Sequence, residues 1–337
     1  MKKHLFFAAA LFALAACNND ENLPADDPNA PVEICLASGI EVQTRAAHNL
    51  DEALKEGETV HVWVDDAKDK QTVVTKENLC VNNIFTVEAG GGLSPDAAQG
   101  GETMYFPETG NNVNIYAIHG NLAEETDYTN FWGTAQTHTV EQDQRRSVTT
   151  AGEGYAVSDL VYAKSTNVPR DGNPTTVNLT FRHLLSKIEV VLIEGQGNEG
   201  FLTGFSSLQV LNTRPTAGFT LDKATAADAI KVTESGDAAP ISLDTDISAS
   251  STVTDRVLNE AIIVPQKITE GTPFIRVNLK DGATFIYKMK STTIFENGKK
   301  YLYIITVRET GLEVTSSISD WKEGIGDDDG VAEEVTE

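Results

Sequence analysis

Residues 275–289 read Ile-Arg-Val-Asn-Leu-Lys-Asp-Gly-Ala-Thr-Phe-Ile-Tyr-Lys-Met, and they decide the fold class. Ile275, Val277 and Leu279 alternate with polar residues, and Phe285, Tyr287 and Met289 do the same on the far side of Asp281-Gly282. A period of two puts one set of side chains on one face of a strand, and Asp-Gly supplies the positive φ angles of a tight hairpin. The same period recurs along the chain. Val60, Val62 and Val64 show it, as do Val113, Ile115 and Ala117, and Tyr301, Tyr303, Ile305 and Val307, the last set preceded by Asn297-Gly298. Helical patterns are few, confined to Leu50–Glu56 and Ala224–Ile230. The expected fold is all-β, with sandwiches and a C-terminal meander of hairpins.

The stretch Thr176 to Ile193 carries one irregularity. Its apolar residues fall on odd positions at Val177, Leu179 and Phe181, then on even ones at Ile188, Val190 and Leu192. A β-bulge near His183–Ser186 within one strand restores both faces, and makes His183 a packed or edge residue. Asp171-Gly172-Asn173-Pro174, just upstream, is the strongest turn cluster of the middle chain and sets a boundary between units 32–173 and 174–323; Gly195–Gly200 is the alternative.

The N-terminus determines destination. Lys2 and Lys3, an apolar run from Leu5 to Leu14, and Leu14-Ala15-Ala16-Cys17 form a lipoprotein signal peptide over residues 1–16. Ten apolar residues are too few to span a bilayer, which takes about 20. Cys17 is the expected lipid site, and acyl chains at about 0.8 kcal/mol per buried CH₂ anchor the protein to a membrane. Residues 17–31 form an acidic, proline-bearing linker with too little apolar surface to order itself.

With 50 Asp and Glu against 26 Lys and Arg in 337 residues, the net charge is −24, which opposes any nucleic-acid partner. Catalytic motifs fail one by one. Gly195, Gly197 and Gly200 match a dinucleotide-loop spacing, but Phe201–Asn212 reads as strand where that motif requires a helix. Gly204-Phe205-Ser206-Ser207-Leu208 lacks the last glycine of a nucleophile elbow. The six histidines have no metal-ligand spacing, and Asp327-Asp328-Asp329-Gly330 lacks the alternation of a calcium loop. No enzyme activity, metal or cofactor is expected.

The remaining candidate is Val32–Ala47. Val32, Ile34, Leu36, Ile40 and Val42 share one face of a strand that ends in Thr44-Arg45-Ala46-Ala47. An arginine among small residues on a loop is an easy target for a trypsin-like protease, so Arg45 and Ala46 are a candidate processing site, although arginines near strand ends are common and most are never cut. Cys35 lies on the other face of that strand, and with Cys17 lipidated only Cys80 remains to pair with it. Composition leaves one bridge or two free thiols.

These features together resemble a family. The lipobox, the acidic linker, the strand ending in Thr44-Arg45-Ala46 and Gly57-Glu58-Thr59-Val60-His61-Val62-Trp63 are similar to the start of the Mfa-like fimbrillins of the type V pilus. Asp159-Leu160-Val161-Tyr162-Ala163 and Phe181-Arg182-His183-Leu184-Leu185-Ser186-Lys187-Ile188-Glu189-Val190 resemble their mid-chain signature. Phe295-Glu296-Asn297-Gly298-Lys299-Lys300-Tyr301 and Ile318-Ser319-Asp320-Trp321 resemble their closing one. The resemblance implies two transthyretin-like β-sandwiches, an outer-membrane lipoprotein, and an arginine-specific protease that cuts after Arg45. That cut removes lipid and first strand together, and other pilus subunits fill the vacancy by β-augmentation.

In the family's stalk subunits the filling strand comes from the C-terminus. Here the tail 324–337 offers Ile325, Val331 and Val335 among many acids, a weak donor, either because the chain is a tip or accessory subunit that need not donate or because a few apolar pegs suffice. A Cys35–Cys80 bridge would hold the first strand after cleavage, so this reading expects unpaired thiols. The competing reading is a non-polymerising surface lipoprotein that binds glycan or another ligand, for which Tyr128, Phe131 and Trp132 are the clustered aromatics, with core packing their alternative role.

Overall fold

The computed structural model describes residues 31–40, 54, 56–68, 82–148, 154–171, 174–195, 200, 205–225, 229–249, 257–280, 282–308 and 311–321. Strands dominate, as the period of two requires. In chain order they are β1 (Glu33–Ile40), β2 (Thr59–Asp66), β3 (Asn83–Val87), β4 (Gly92–Pro95), β5 (Met104–Tyr105), β6 (Val113–His119) and β7 (Ala135–Thr139). The five-residue helix α1 (Gly154–Ser158) precedes β8 (Val161–Val168), β9 (Thr175–His183), β10 (Ser186–Glu194) and β11 (Phe205–Thr213). Next come β12 (Thr216–Thr220), β13 (Val232–Ser235), β14 (Ala239–Leu243), β15 (Asn259–Ile263) and β16 (Lys267–Ile268). The last strands are β17 (Pro273–Leu279), β18 (Thr284–Lys288), β19 (Thr293–Ile294), β20 (Lys299–Arg308) and β21 (Gly311–Asp320).

The first half of the chain forms one eight-stranded sheet in the order β4-β3-β2-β6-β8-β9-β1-β5, with β4 also paired to β1. The sheet therefore closes on itself through β1. Inside lie Val60, Val62, Val64, Phe85, Ile115, Ala117, Leu179 and Phe181, all at most 2 % exposed. The second half packs sheet β15-β10-β20-β21 against sheet β14-β11-β17-β18. Tyr303 of β20 meets Phe274 of β17 and Tyr287 of β18 across the gap, at ring-centroid distances of 5.6 and 5.8 Å.

The irregular stretch around His183 is two strands. β9 pairs with β8 and β1 in the first sheet, whereas β10 pairs with β15 and β20 in the second half. The parity change reflects service to two different cores, with Leu184 and Leu185 as the step between them. This replaces the bulge. It also puts Thr175–His183, expected as the start of the second unit, in the sheet of the first.

β17 and β18 do pair antiparallel, with Gly282 between them at φ 94°; Asp281 lies outside the described residues. Asn297-Gly298 does not make a hairpin, since β19 pairs with β16 and β20 with β10 and β21. Nor is the second half a meander. The β10–β20 pair is parallel, and a parallel pair needs a long crossover, here the whole of β11 to β19.

The halves are knitted together. β7, from the long loop of the first half, pairs with β12 in a three-stranded sheet with β13. Lys223 Nζ lies 2.6 Å from Asp65 Oδ2 and over the rings of Tyr116 and Trp132. Gln144 donates to the Ile262 carbonyl and accepts from the Ile262 N–H, so one side chain satisfies the outer edge of β15.

Candidate functional site

The candidate site is the slot occupied by β1. Residues of alternate parity give it one apolar face: Val32, Ile34 and Leu36 are 5, 2 and 4 % exposed and pack with Val87, Leu93, Met104 and Phe106. On one side β1 runs parallel to β9 in unbroken register from Ile34 opposite Thr175 to Ile40 opposite Phe181. On the other it is antiparallel to β5 near its start, Ile34 opposite Met104, and to β4 further on, Leu36 opposite Leu93. The Val32 carbonyl accepts from Phe106 N–H at 2.9 Å, and Ser38 N–H donates to the Gly91 carbonyl at 2.7 Å. Gly91 sits at φ 87°, and a Cβ there would come 2.9 Å from the Ser38 carbonyl oxygen, so this approach requires glycine.

Burial of three such side chains contributes roughly 5–9 kcal/mol at about 1.5–3 kcal/mol each. That approaches the net stability of a whole domain, about 5–15 kcal/mol. Without β1 the sheet has two open edges, on β9 and on β4 with β5, above an uncovered apolar core. Such a slot accepts one more strand.

The opposite face of β1 carries Glu33 and Cys35, both half-buried. Burial pushes the Glu33 carboxyl up from its usual value. Cys35 is disulfide-bonded, so the unpaired thiol expected of a releasable strand is corrected here; its partner lies outside the described residues. Cys17, Val42, Arg45, Ala46, Ile325, Val331 and Val335 also lie outside the described residues, and Ile40 is described only by its backbone position on β1.

A second constellation was not anticipated. His183 Nδ1 lies 2.7 Å from Asp159 Oδ2, and the His183 ring stacks on Trp321. Trp321 also lies 6.0 Å from Lys187 Nζ, which pairs with Glu260 and, at 3.4 Å, with Glu189. Lys300 lies 3.9 Å from Glu189, so two cations and two carboxylates share a buried site. Asp159, His183 with Lys187, and Trp321 belong to three separated stretches that carried the family resemblance. A signal existed in their recurrence as motifs, but nothing in spacing alone says that they touch.

The aromatic cluster proves to be packing. Trp63 stacks on Phe131 at 4.9 Å and meets Trp132 edge-on at 5.2 Å, while Tyr128 lies on His61 at 4.0 Å. Phe131 is fully buried. His61 and His138 are held down to about 4 by burial, and His138 Nε2 donates to the Ser158 carbonyl at 2.9 Å. Among the described residues no three His, Cys, Asp or Glu side chains cluster as a metal site requires. The segment after the glycine cluster is strand from Phe205 onward, as expected.

A first sheet closed through β1, coupled through a buried junction to a second β-rich half, defines an all-β protein. The fimbrillin-like family model matches residues 44–321, and the chain belongs to that family. It is 26 % identical over 340 residues, 97 % of each chain, to a Bacteroides uniformis protein named as a candidate fimbrium subunit, Fim1C. Two crystal structures share the fold. One is a candidate cell adhesion protein of Bacteroides uniformis, with TM-score 0.56, 19 % identity, and 86 % of this chain and 99 % of that one covered. The other is from Bacteroides ovatus, with TM-score 0.59, 16 % identity, and 88 and 99 % covered.

Proposed function

We propose that this chain is a structural or accessory subunit of a type V pilus that supports adhesion. It is exported through its signal peptide (residues 1–16), lipidated at Cys17 and held off the outer membrane by the linker to residue 31. An arginine-specific protease cuts between Arg45 and Ala46. The segment carrying lipid and β1 leaves, and a strand of another subunit enters the slot, moving the protein from the cell surface into the fimbrium. Two folded units, meeting at Leu184-Leu185, and the acidic tail 324–337 complete the organisation. Ile325, Val331 and Val335 are the apolar residues that tail offers to a neighbour.

One observation carries this reading. β1 is the strand through which the first sheet closes, and the chain leaves it within a few residues of Arg45. Its pairings run from Ile34 to Ile40 on the β9 side, and on the other side from Glu33 and Ile34 against β5 to Leu36 and Ala37 against β4, so it is flanked on both sides as a plug is. Family membership and the fimbrium-subunit relative support the same assignment.

The test is to treat purified full-length precursor with an arginine-specific protease in buffer containing dithiothreitol. Mass spectrometry should place the new N-terminus at Ala46, and light scattering should show oligomers growing with time. A chain cut cleanly there that stays monomeric overturns the assignment.

A further inference from the structure

We propose that the free edge of β21 docks with the same edge of a second copy of this chain, antiparallel about a two-fold axis at Ser316. β21 belongs to the second half and takes no part in the β1 slot, so this contact stands apart from strand exchange.

The second half packs two four-stranded sheets, and three of their edge strands are guarded. β15 is closed by Gln144, whose amide serves Ile262. The same segment covers β14: Gln144 N–H donates to the Ser242 carbonyl, and Ser242 N–H to the Gln142 carbonyl. β18 is five residues long and carries the exposed Lys288, and shortness and lysine both discourage pairing. β21 has none of these devices. It runs for ten residues without proline, lysine or arginine, and pairs with β20 in unbroken register from Gly311 opposite Arg308 to Asp320 opposite Lys299. Its Glu313 is paired with Arg308 at 2.9 Å. Among the described residues no strand or loop bonds to its outer side.

The phase of the ladder says which groups that edge offers. Trp321 N–H donates to the Gly298 carbonyl at 2.7 Å, and these residues are opposite each other where the β20–β21 register continues. Opposed residues of an antiparallel pair alternate between hydrogen-bonded and non-bonded. The odd-numbered residues of β21 therefore bond to β20, and Leu312, Val314, Ser316, Ile318 and Asp320 turn N–H and C=O outward.

The side chains fit the same partner. Ile318 lies opposite Tyr301, on the face that buries Tyr301 and Val314, yet Ile318 itself is 58 % exposed. The apolar stripe of β21 thus runs on past its cover. A two-fold axis at Ser316 sets Val314 of each copy opposite Ile318 of the other, Thr315 opposite Ser317, and Glu313 opposite Ser319, all compatible cross-strand pairs. Every outward-turned residue finds an outward-turned mate, and no like charges meet, although each chain carries a net charge of −24. An axis at Thr315 instead leaves Asp320 beyond the end of the partner strand. This self-matching makes a second copy the occupant. A two-fold contact closes at two copies, so in a fimbrium it joins subunits of neighbouring filaments side by side.

The experiment uses uncut full-length precursor, which separates its outcome from that of strand exchange. One strand pair buries less than the roughly 1,200 Å² of a standard interface, so sedimentation velocity from about 5 to 500 µM should show a reversible monomer–dimer equilibrium and nothing larger. Hydrogen exchange at Val314, Ser316 and Ile318 should slow as concentration rises, whereas Thr315 and Ser317 stay protected throughout. Ser316→Pro removes an outward N–H and spares every bond to β20, and Ile318→Lys puts a charge at the seam; each should weaken association about tenfold or more at an unchanged urea midpoint. Should Ser316→Pro fail to fold, Ile318→Lys decides the matter, because that side chain is already in water. A monomer at every concentration, a dimer that neither substitution weakens, or growth past the dimer overturns the proposal.

Discussion

The rings of His183 and Trp321 lie face to face, with centroids 3.6 Å apart and planes within 4° of parallel. One belongs to the last residue of β9 and the other to the residue after β21, so the stack ties the end of the second half to the step between sheets. Gly298 extends the tie: its N–H donates to the Leu185 carbonyl at 2.8 Å, and its own carbonyl accepts from the Trp321 N–H at 2.7 Å. Asp159 closes the arrangement from the first half.

Trp321 is 3 % exposed, and its indole covers His183 and Lys187. Truncating a buried aromatic to alanine typically costs about 3–5 kcal/mol. Trp321→Ala should therefore lower the unfolding free energy of the full-length protein, measured in urea, by that amount, and Trp321→Phe by clearly less, since a smaller ring still covers His183. Equal losses in the two variants would show that the indole is not packed as described.

Gln144 has a different role. Both ends of its amide serve the Ile262 backbone, and its Nε2 also donates to the Glu141 carbonyl at 3.0 Å. Gln144→Ala strands a buried donor and a buried acceptor on β15, each costing about 1–3 kcal/mol. Hydrogen exchange at Ile262 should accelerate markedly in this variant while amides of β2 and β6 stay protected. Unchanged exchange at Ile262 would mean that another group satisfies that edge.

The contrast between these two features shows what a single sequence reveals here. The strands, the hairpin at Gly282 and the buried face of β1 follow from a period of two and from turn chemistry, which are local. Pairing order is not local. Nothing in Thr175–Glu194 says that its two parities serve different sheets, so the stretch reads as one bulged strand until β8 and β1 are seen flanking its first half. Lys187, Glu189, Glu260 and Lys300 read as ordinary surface charges, because a buried ion network looks like an exposed one when its partners come from distant strands. The closure of the first sheet through β4 and β1 depends on contacts between residues more than fifty positions apart.

His138 gives the protein an acid-sensitive step. Its ring is buried and its folded-state value is held near 4, below the ordinary 6.5, by desolvation. The unfolded chain thus binds a proton between those values that the folded chain refuses. The stabilising difference is fully present above pH 6.5 and is lost as pH falls toward 4, about 3 kcal/mol in all. His61, lowered for the same reason, adds to the same window. Urea unfolding at pH 7.5, 5.5 and 4.5 should show falling stability, and His138→Gln should flatten the slope by roughly half. An unaltered slope would assign the acid sensitivity elsewhere.

The plug itself allows a discriminating substitution. Ile34 is 2 % exposed in the precursor, so Ile34→Ala should destabilise the first half by about 2–4 kcal/mol. If β1 leaves on maturation, the altered side chain leaves with it. Precursor carrying Ile34→Ala should then unfold earlier than wild type, release its N-terminal segment faster after cleavage, and yield oligomers of wild-type stability. Leu179→Ala, on the neighbouring β9 and fully buried, removes a comparable group that stays behind, and should weaken precursor and oligomer alike. Oligomers weakened equally by both substitutions would mean that β1 remains in place in the assembly, and that neighbours join by some surface other than its slot.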